Sequence, residues 1–178
     1  MIADSSSLII FAKINKLSLI IEIYGKIYIT EVIYKEIVED GLKINAPDAK
    51  ILKKFIDNKN IIILHLNKKY NNFSKELKKV YYQIDIEESD AIALALQEKN
   101  KNIIMDEALG KKIAKLYGIK PIGSLKVLIE AYKKDFINET ELRNIIKEMI
   151  ENKFRIGADV INEFWNIFNK IKRNNQPN

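Results

Sequence analysis

Apolar and polar positions follow two rhythms along this chain, and the changes between them mark the elements. Short β-branched or aromatic runs read as strands at 1–3, 26–29, 61–66, 102–105 and 119–122. The last of these carries Pro121 and is expected at a sheet edge. Between the strands, apolar residues recur at helical spacing over 5–14, 16–24, 30–39, 46–56, 68–82, 86–98 and 107–117. The punctuation agrees with this division. Gly25 and Gly118 stand where helices stop, Thr30 where one starts, and Pro47 suits a first helical turn. Three more helices are expected at 124–134, 138–152 and 158–172, followed by a polar tail, 173–178, that is expected to fray.

Strands separated by helices over the first two-thirds predict an α/β architecture around a parallel sheet, with the helical last third packed against it. No linker, repeat or low-complexity block interrupts the 178 residues, so one domain is expected. In such sheets ligands bind beyond the carboxyl ends of the strands, near the point where strand order reverses. Asp4 directly follows the first strand and Asp106 the fourth. Two carboxylates at neighbouring strand tips repel one another unless a cation lies between them. Glu36 is expected on the same helical side as Val32 and Ile33, where a carboxylate implies a site. Asp90 opens the 86–98 helix ahead of an apolar face formed by Ala91, Ile92, Leu94 and Ala95. Taken alone, it is explained nearly as well by favourable interaction with the helix dipole.

Composition narrows the chemistry. There is no cysteine, which excludes disulfides, thiolate metal sites and a thiol nucleophile. The single histidine, His65, falls inside the apolar run 61–66 and is expected to be a buried structural residue, which leaves no triad to build. A ligand set made only of oxygen favours Mg2+ or Mn2+ over zinc or copper. Ions of that kind can generate a hydroxide nucleophile and neutralise charge on a phosphodiester. The net charge of +6 is compatible with a polyanionic partner. However, the Lys-, Asn- and Ile-rich composition raises it without any function, and arginine occurs only at Arg143, Arg155 and Arg173. No apolar run approaches the roughly 18 residues that span a bilayer. The first residues lack a basic stretch before an apolar one, so a cytoplasmic location without a secretory leader is expected.

Several motifs together resemble the PIN-domain ribonucleases. Asp4-Ser-Ser-Ser-Leu-Ile9 is similar to their opening, Thr30 to Glu36 to their second-helix motif, and Glu88-Ser-Asp-Ala-Ile-Ala-Leu-Ala95 to the third, the most specific piece. Met105-Asp-Glu107 resembles the fourth, and Gly118 to Ser124 the last strand and turn. The resemblance implies a three-layer α/β/α fold with strand order 3-2-1-4-5, a PIN-like part over 1–134 and a helical extension over 135–178 on the same domain. It implies Mg2+- or Mn2+-dependent endonucleolytic cleavage of RNA, with Asp4, Glu36, Asp90 and Asp106 as catalytic and metal-site acids. Ser6 would orient Asp4 or a metal-bound water, and Glu88 and Glu107 would support the acids. Lys111 would contact substrate where relatives carry arginine. The final helices resemble a subgroup of toxins from type II toxin–antitoxin pairs, which implies a small antitoxin partner and a homodimer. The chain departs from that subgroup in having Glu87-Glu88 for Gly-Glu, Asp90 for a glutamate, Glu107 for an aspartate and Lys126 for a glycine.

Two other readings compete. One is a catalytically silent PIN-like RNA-binding or scaffold protein in which the acids are remnants. The other is a phosphotransfer enzyme with Asp4 as nucleophile, which usually wants a second acid where this chain has Ser6. Phe154, Phe164, Trp165 and Phe168 could join a dimer or partner interface, although packing onto the sheet is the simpler expectation.

Overall fold

The computed structural model describes residues 1–174. They divide after Ser124 into two compact units, the first Met1–Ser124 and the second beginning at Leu125. The first is built on five short strands: β1 (Ile2–Ala3), β2 (Ile27–Ile29), β3 (Ile61–Ile63), β4 (Asn102–Ile104) and β5 (Lys120–Ile122). All pair in parallel, in the order β3-β2-β1-β4-β5. A parallel sheet is covered on both faces, so its strands need apolar residues at consecutive positions rather than at alternate ones. Ile2, Ala3, Ile103 and Ile104 accordingly have no exposed surface.

Helices cover the sheet in the three-layer α/β/α arrangement. The helix α7 (Ile86–Gln97) packs on β1 and β4 and against α3 (Glu31–Tyr34), α6 (Lys68–Val80) and α8 (Ala108–Leu116). Its residues Glu88 to Ala95 are all buried, as expected for a helix enclosed on every side. The helix α1 (Ser5–Lys13) packs against α2 (Leu17–Tyr24) and α5 (Pro47–Asp57), and α5 reaches β3. Beyond α3 the chain continues as a π-helical stretch, Lys35–Asp40, and ends in one turn, α4 (Gly41–Lys43).

Strand order reverses at β1, whose neighbours are β2 and β4. Ala3 pairs with Ile104, and the ladder runs one step further: the Asp4 N–H donates to Ile104 O at 2.9 Å, and the Met105 N–H to Ile122 O at 3.0 Å. These bonds deliver Asp4, Asp106 and Ser124 to one edge.

The strand expected over 61–66 stops at Ile63. Its neighbour β2 ends at Ile29, whose carbonyl takes the last ladder bond, from the Leu64 N–H at 2.8 Å. With no partner left to pair with, the chain turns away. The side-chain amide of Gln97 then pins the turn, donating to His65 O at 3.0 Å and accepting from the Asn67 N–H at 2.8 Å. His65 is therefore exposed rather than buried in a strand, and its Nδ1 stands 3.1 Å from Glu31 Oε2.

The second unit holds α10 (Glu139–Glu151), α11 (Ala158–Asn174) and, after Ser124, the body of α9 (Ser124–Lys133). Phe168 packs against Tyr132 and Trp165, and Phe164 against Trp165. The Arg143 guanidinium lies 4.6 Å from the Trp165 ring centroid, and Arg143 and Lys172 both bond Glu139. Of the tail expected to fray, Arg173 and Asn174 belong to α11, and 175–178 lie outside the described residues. Among the described residues no helix is long and apolar enough to cross a membrane.

Candidate functional site

Asp4 has two local tasks. It ends β1 and caps α1, its Oδ1 accepting the Ser7 N–H at 2.9 Å, the usual bond from a capping side chain to the third helical residue. The residue is 2% exposed. Burial pushes its carboxyl up to about 6 against donors from Ser7 and Ser6, and the negative charge of Asp106 pushes the same way.

Three consecutive serines follow. Successive residues on a helix point about 100° apart, so the three hydroxyls diverge. Ser5 bonds Glu36. Ser6 Oγ donates to Asp4 Oδ2 at 3.1 Å, and Ser7 Oγ to Asp106 Oδ2 at 3.0 Å. One helical turn therefore bonds both strand-end acids, Asp4 and Asp106. Asp106 receives further donors from the end of β5, the Ser124 N–H on Oδ1 at 2.8 Å and the Ser124 hydroxyl on Oδ2. Lys111 Nζ stands 3.9 Å from Asp106 Oδ1. A Cβ at Gly123 would lie 3.0 Å from that ammonium and 3.2 Å from the same oxygen, so glycine keeps the space open.

Glu36 lies in the π-helical stretch and is exposed, like Lys35 and Glu39, instead of lying on an apolar side. Face assignment from sequence assumes 3.6 residues per turn, and a π turn breaks that spacing. Partial desolvation and the charges of Glu87, Asp85 and Asp40 raise its pKa, against the Ser5 hydroxyl.

Asp90 is buried and held by different partners. Ser74 Oγ donates to its Oδ1 at 2.5 Å, and the Thr30 hydroxyl is a second partner. Burial raises its pKa, and the charges that act on it are those of Glu87 and Lys75. Glu88, two residues earlier on α7, points about 200° away from Asp90. Its Oε2 closes the capping box with the Asp85 N–H at 3.0 Å, whereas its buried Oε1 has no hydrogen-bond partner. Burial pushes this carboxyl up to about 7, and the charges of Asp4, Asp85 and Glu107 add to the effect.

Among the described residues no three carboxylate or imidazole groups are spaced as a ready-made metal cage. Mg2+ does not need one, since it keeps several waters and takes one or two carboxylates. The Asp4–Asp106 pair fits that requirement, with oxygen donors only and a mutual repulsion that a cation would relieve.

A family model described as a PIN domain matches residues 1–170. The chain belongs to the PIN-domain family. This is a nuclease-type fold, and the five-stranded order observed is the one expected from the motifs. No curated protein and no solved structure is significantly similar to the chain. Within this PIN domain, Ser7 and Ser124 are the polar residues at the site that reading the sequence missed. Ser7 bonds a residue 99 positions away and Ser124 one 18 positions away, and no local pattern encodes either contact. The one available signal was the serine run directly after a strand-end acid.

Proposed function

We propose that this PIN domain is a Mg2+- or Mn2+-dependent endoribonuclease acting as the toxin of a type II toxin–antitoxin pair. The observation that carries the nuclease reading is the pair of strand-end carboxylates, Asp4 and Asp106, tied together through Ser7. These two would hold the cation, and Glu36, whose pKa the Ser5 hydroxyl lowers, would join them from the second-helix motif. Of the two acids in the third motif, Glu88 is the one acted on by the charge of Asp4, whereas Asp90 is occupied by Ser74. We therefore rank Glu88 ahead of Asp90 for direct participation, with Asp90 shaping the wall of the site and Glu107 adding negative charge near Glu88.

A bound Mg2+ or Mn2+ would activate water and neutralise charge on the scissile phosphodiester. The protein's own part is to hold the acids, to orient Asp4 through Ser6, and to offer Lys111 to a substrate phosphate beside Asp106. The choice of RNA, the antitoxin and the homodimer rest on the motif resemblance described above.

The test is Mn2+-dependent cleavage of single-stranded RNA, abolished in Asp4→Asn and in Asp106→Asn. Metal-dependent cutting at the wild-type rate by both variants would refute the site. Calorimetry showing no Mn2+ binding at millimolar concentration would favour a silent RNA-binding role instead. Co-purification with the product of a neighbouring gene tests the antitoxin partner.

A further inference from the structure

Ser7 is fully buried and uses both of its donors on different acids. Its backbone N–H goes to Asp4 Oδ1, and its hydroxyl, which lies near both acids and has only one hydrogen to give, goes to Asp106 Oδ2 at 3.0 Å. The Ser124 hydroxyl donates to that same Oδ2. A carboxylate oxygen has about two good acceptor positions, so Asp106 Oδ2 is fully used by protein hydroxyls. Oδ1 takes only the Ser124 N–H and faces Lys111, so it is the oxygen with a position left. Asp4 keeps one acceptor position on each oxygen after its bonds to Ser7 and Ser6.

We propose that Ser7 is the positioning residue of this site, locking Asp4 and Asp106 into one geometry and restricting Asp106 to single-oxygen binding of a divalent cation through Oδ1. The proposal rests on the reading that these acids hold such a cation. It extends that reading to ion choice. Single-oxygen carboxylates suit the strict octahedron of Mg2+ and the octahedral preference it shares with Mn2+, whereas Ca2+ accepts carboxylates through both oxygens and a larger, looser shell. The serines that occupy Oδ2 would therefore select against Ca2+.

Calorimetric titration of Mn2+ and of Ca2+ into the full chain tests this without any activity measurement. Residues supporting metal ligands usually contribute about 10–100-fold in affinity. Ser7→Ala is expected to bind Mn2+ about tenfold more weakly and to shift the Ca2+-to-Mn2+ affinity ratio toward Ca2+. Ser124→Ala, which frees the other position on Oδ2, should move that ratio the same way, and it stands in if Ser7→Ala does not fold. Ser89→Ala is the control: it removes an equally buried hydroxyl, one that donates to Asp85 O, and should change neither value. An affinity and a ratio both within about twofold of wild type in the Ser7 and Ser124 variants would overturn the proposal while leaving the nuclease reading standing. A wild-type chain that binds neither ion would bring down both.

Discussion

Replacing Asp4 by asparagine should make the metal-free protein more stable while removing its response to metal. Asparagine keeps the shape and is an equally good helix cap, so the Ser7 N–H retains its acceptor, and Ser6 can turn to accept from the new amide. What disappears is a buried ionisable group whose pKa is raised from 3.8 to about 6. A raised carboxyl pKa means that the folded state holds the proton more tightly than the unfolded chain does. Stability therefore falls as pH rises between these values, and the loss is complete above about pH 6. At about 1.4 kcal/mol per pH unit, the ionised buried carboxyl costs about 3 kcal/mol. Near pH 4 the wild-type group is protonated in the folded state and still about half protonated in the unfolded chain, so the cost is small. Urea unfolding in chelator should thus find the variant and wild type close together near pH 4, with the variant ahead by about 3 kcal/mol at about pH 8. Glu88, raised to about 7, contributes with the same sign in both proteins, and its smaller shift in the variant, where the charge of Asp4 is gone, favours the variant further. Added Mn2+ at about 100 times its Kd should then stabilise wild type by about 2.7 kcal/mol and the variant far less. A variant less stable than wild type at pH 8, or a gap that does not change with pH, would refute the reasoning.

Three further outcomes follow from the packing around the site. Gly110→Ala would place a Cβ 2.6 Å from both Glu88 Oε1 and Met105 Sδ; the expected loss is about 1–3 kcal/mol in urea unfolding, and a net gain would show that the contact yields freely. Lys111→Met removes the ammonium beside Asp106 and should raise KM for RNA several-fold with kcat held, while the salt dependence of binding loses about one phosphate contact; an unchanged KM counts against the role. His65→Ala removes only an exposed contact with Glu31, so thermal unfolding should register less than about 1 kcal/mol, and a loss of several would mean that the side chain is buried after all.

The sequence alone determined the order of strands and helices, because strand and helix periodicities are local and glycine, threonine and proline mark their ends. It also determined that Asp4 and Asp106 stand at strand tips, which in a parallel sheet already assigns them to the ligand-binding edge. The tertiary structure decided what depends on neighbours distant in sequence. Whether Glu88 or Asp90 approaches Asp4 turns on the rotation of α7 against β1 and β4, and two residues of helix reverse the direction a side chain points. Glu36 was placed by a π turn that no 3.6-residue repeat reveals, and His65 by the length of β2, the strand that its own strand had to pair with. Ser7 shows the same division in one residue. Its place in the first turn of α1 is legible from Asp4 onward, but the carboxylate its hydroxyl binds arrives 99 residues later, through the pairing of β1 with β4.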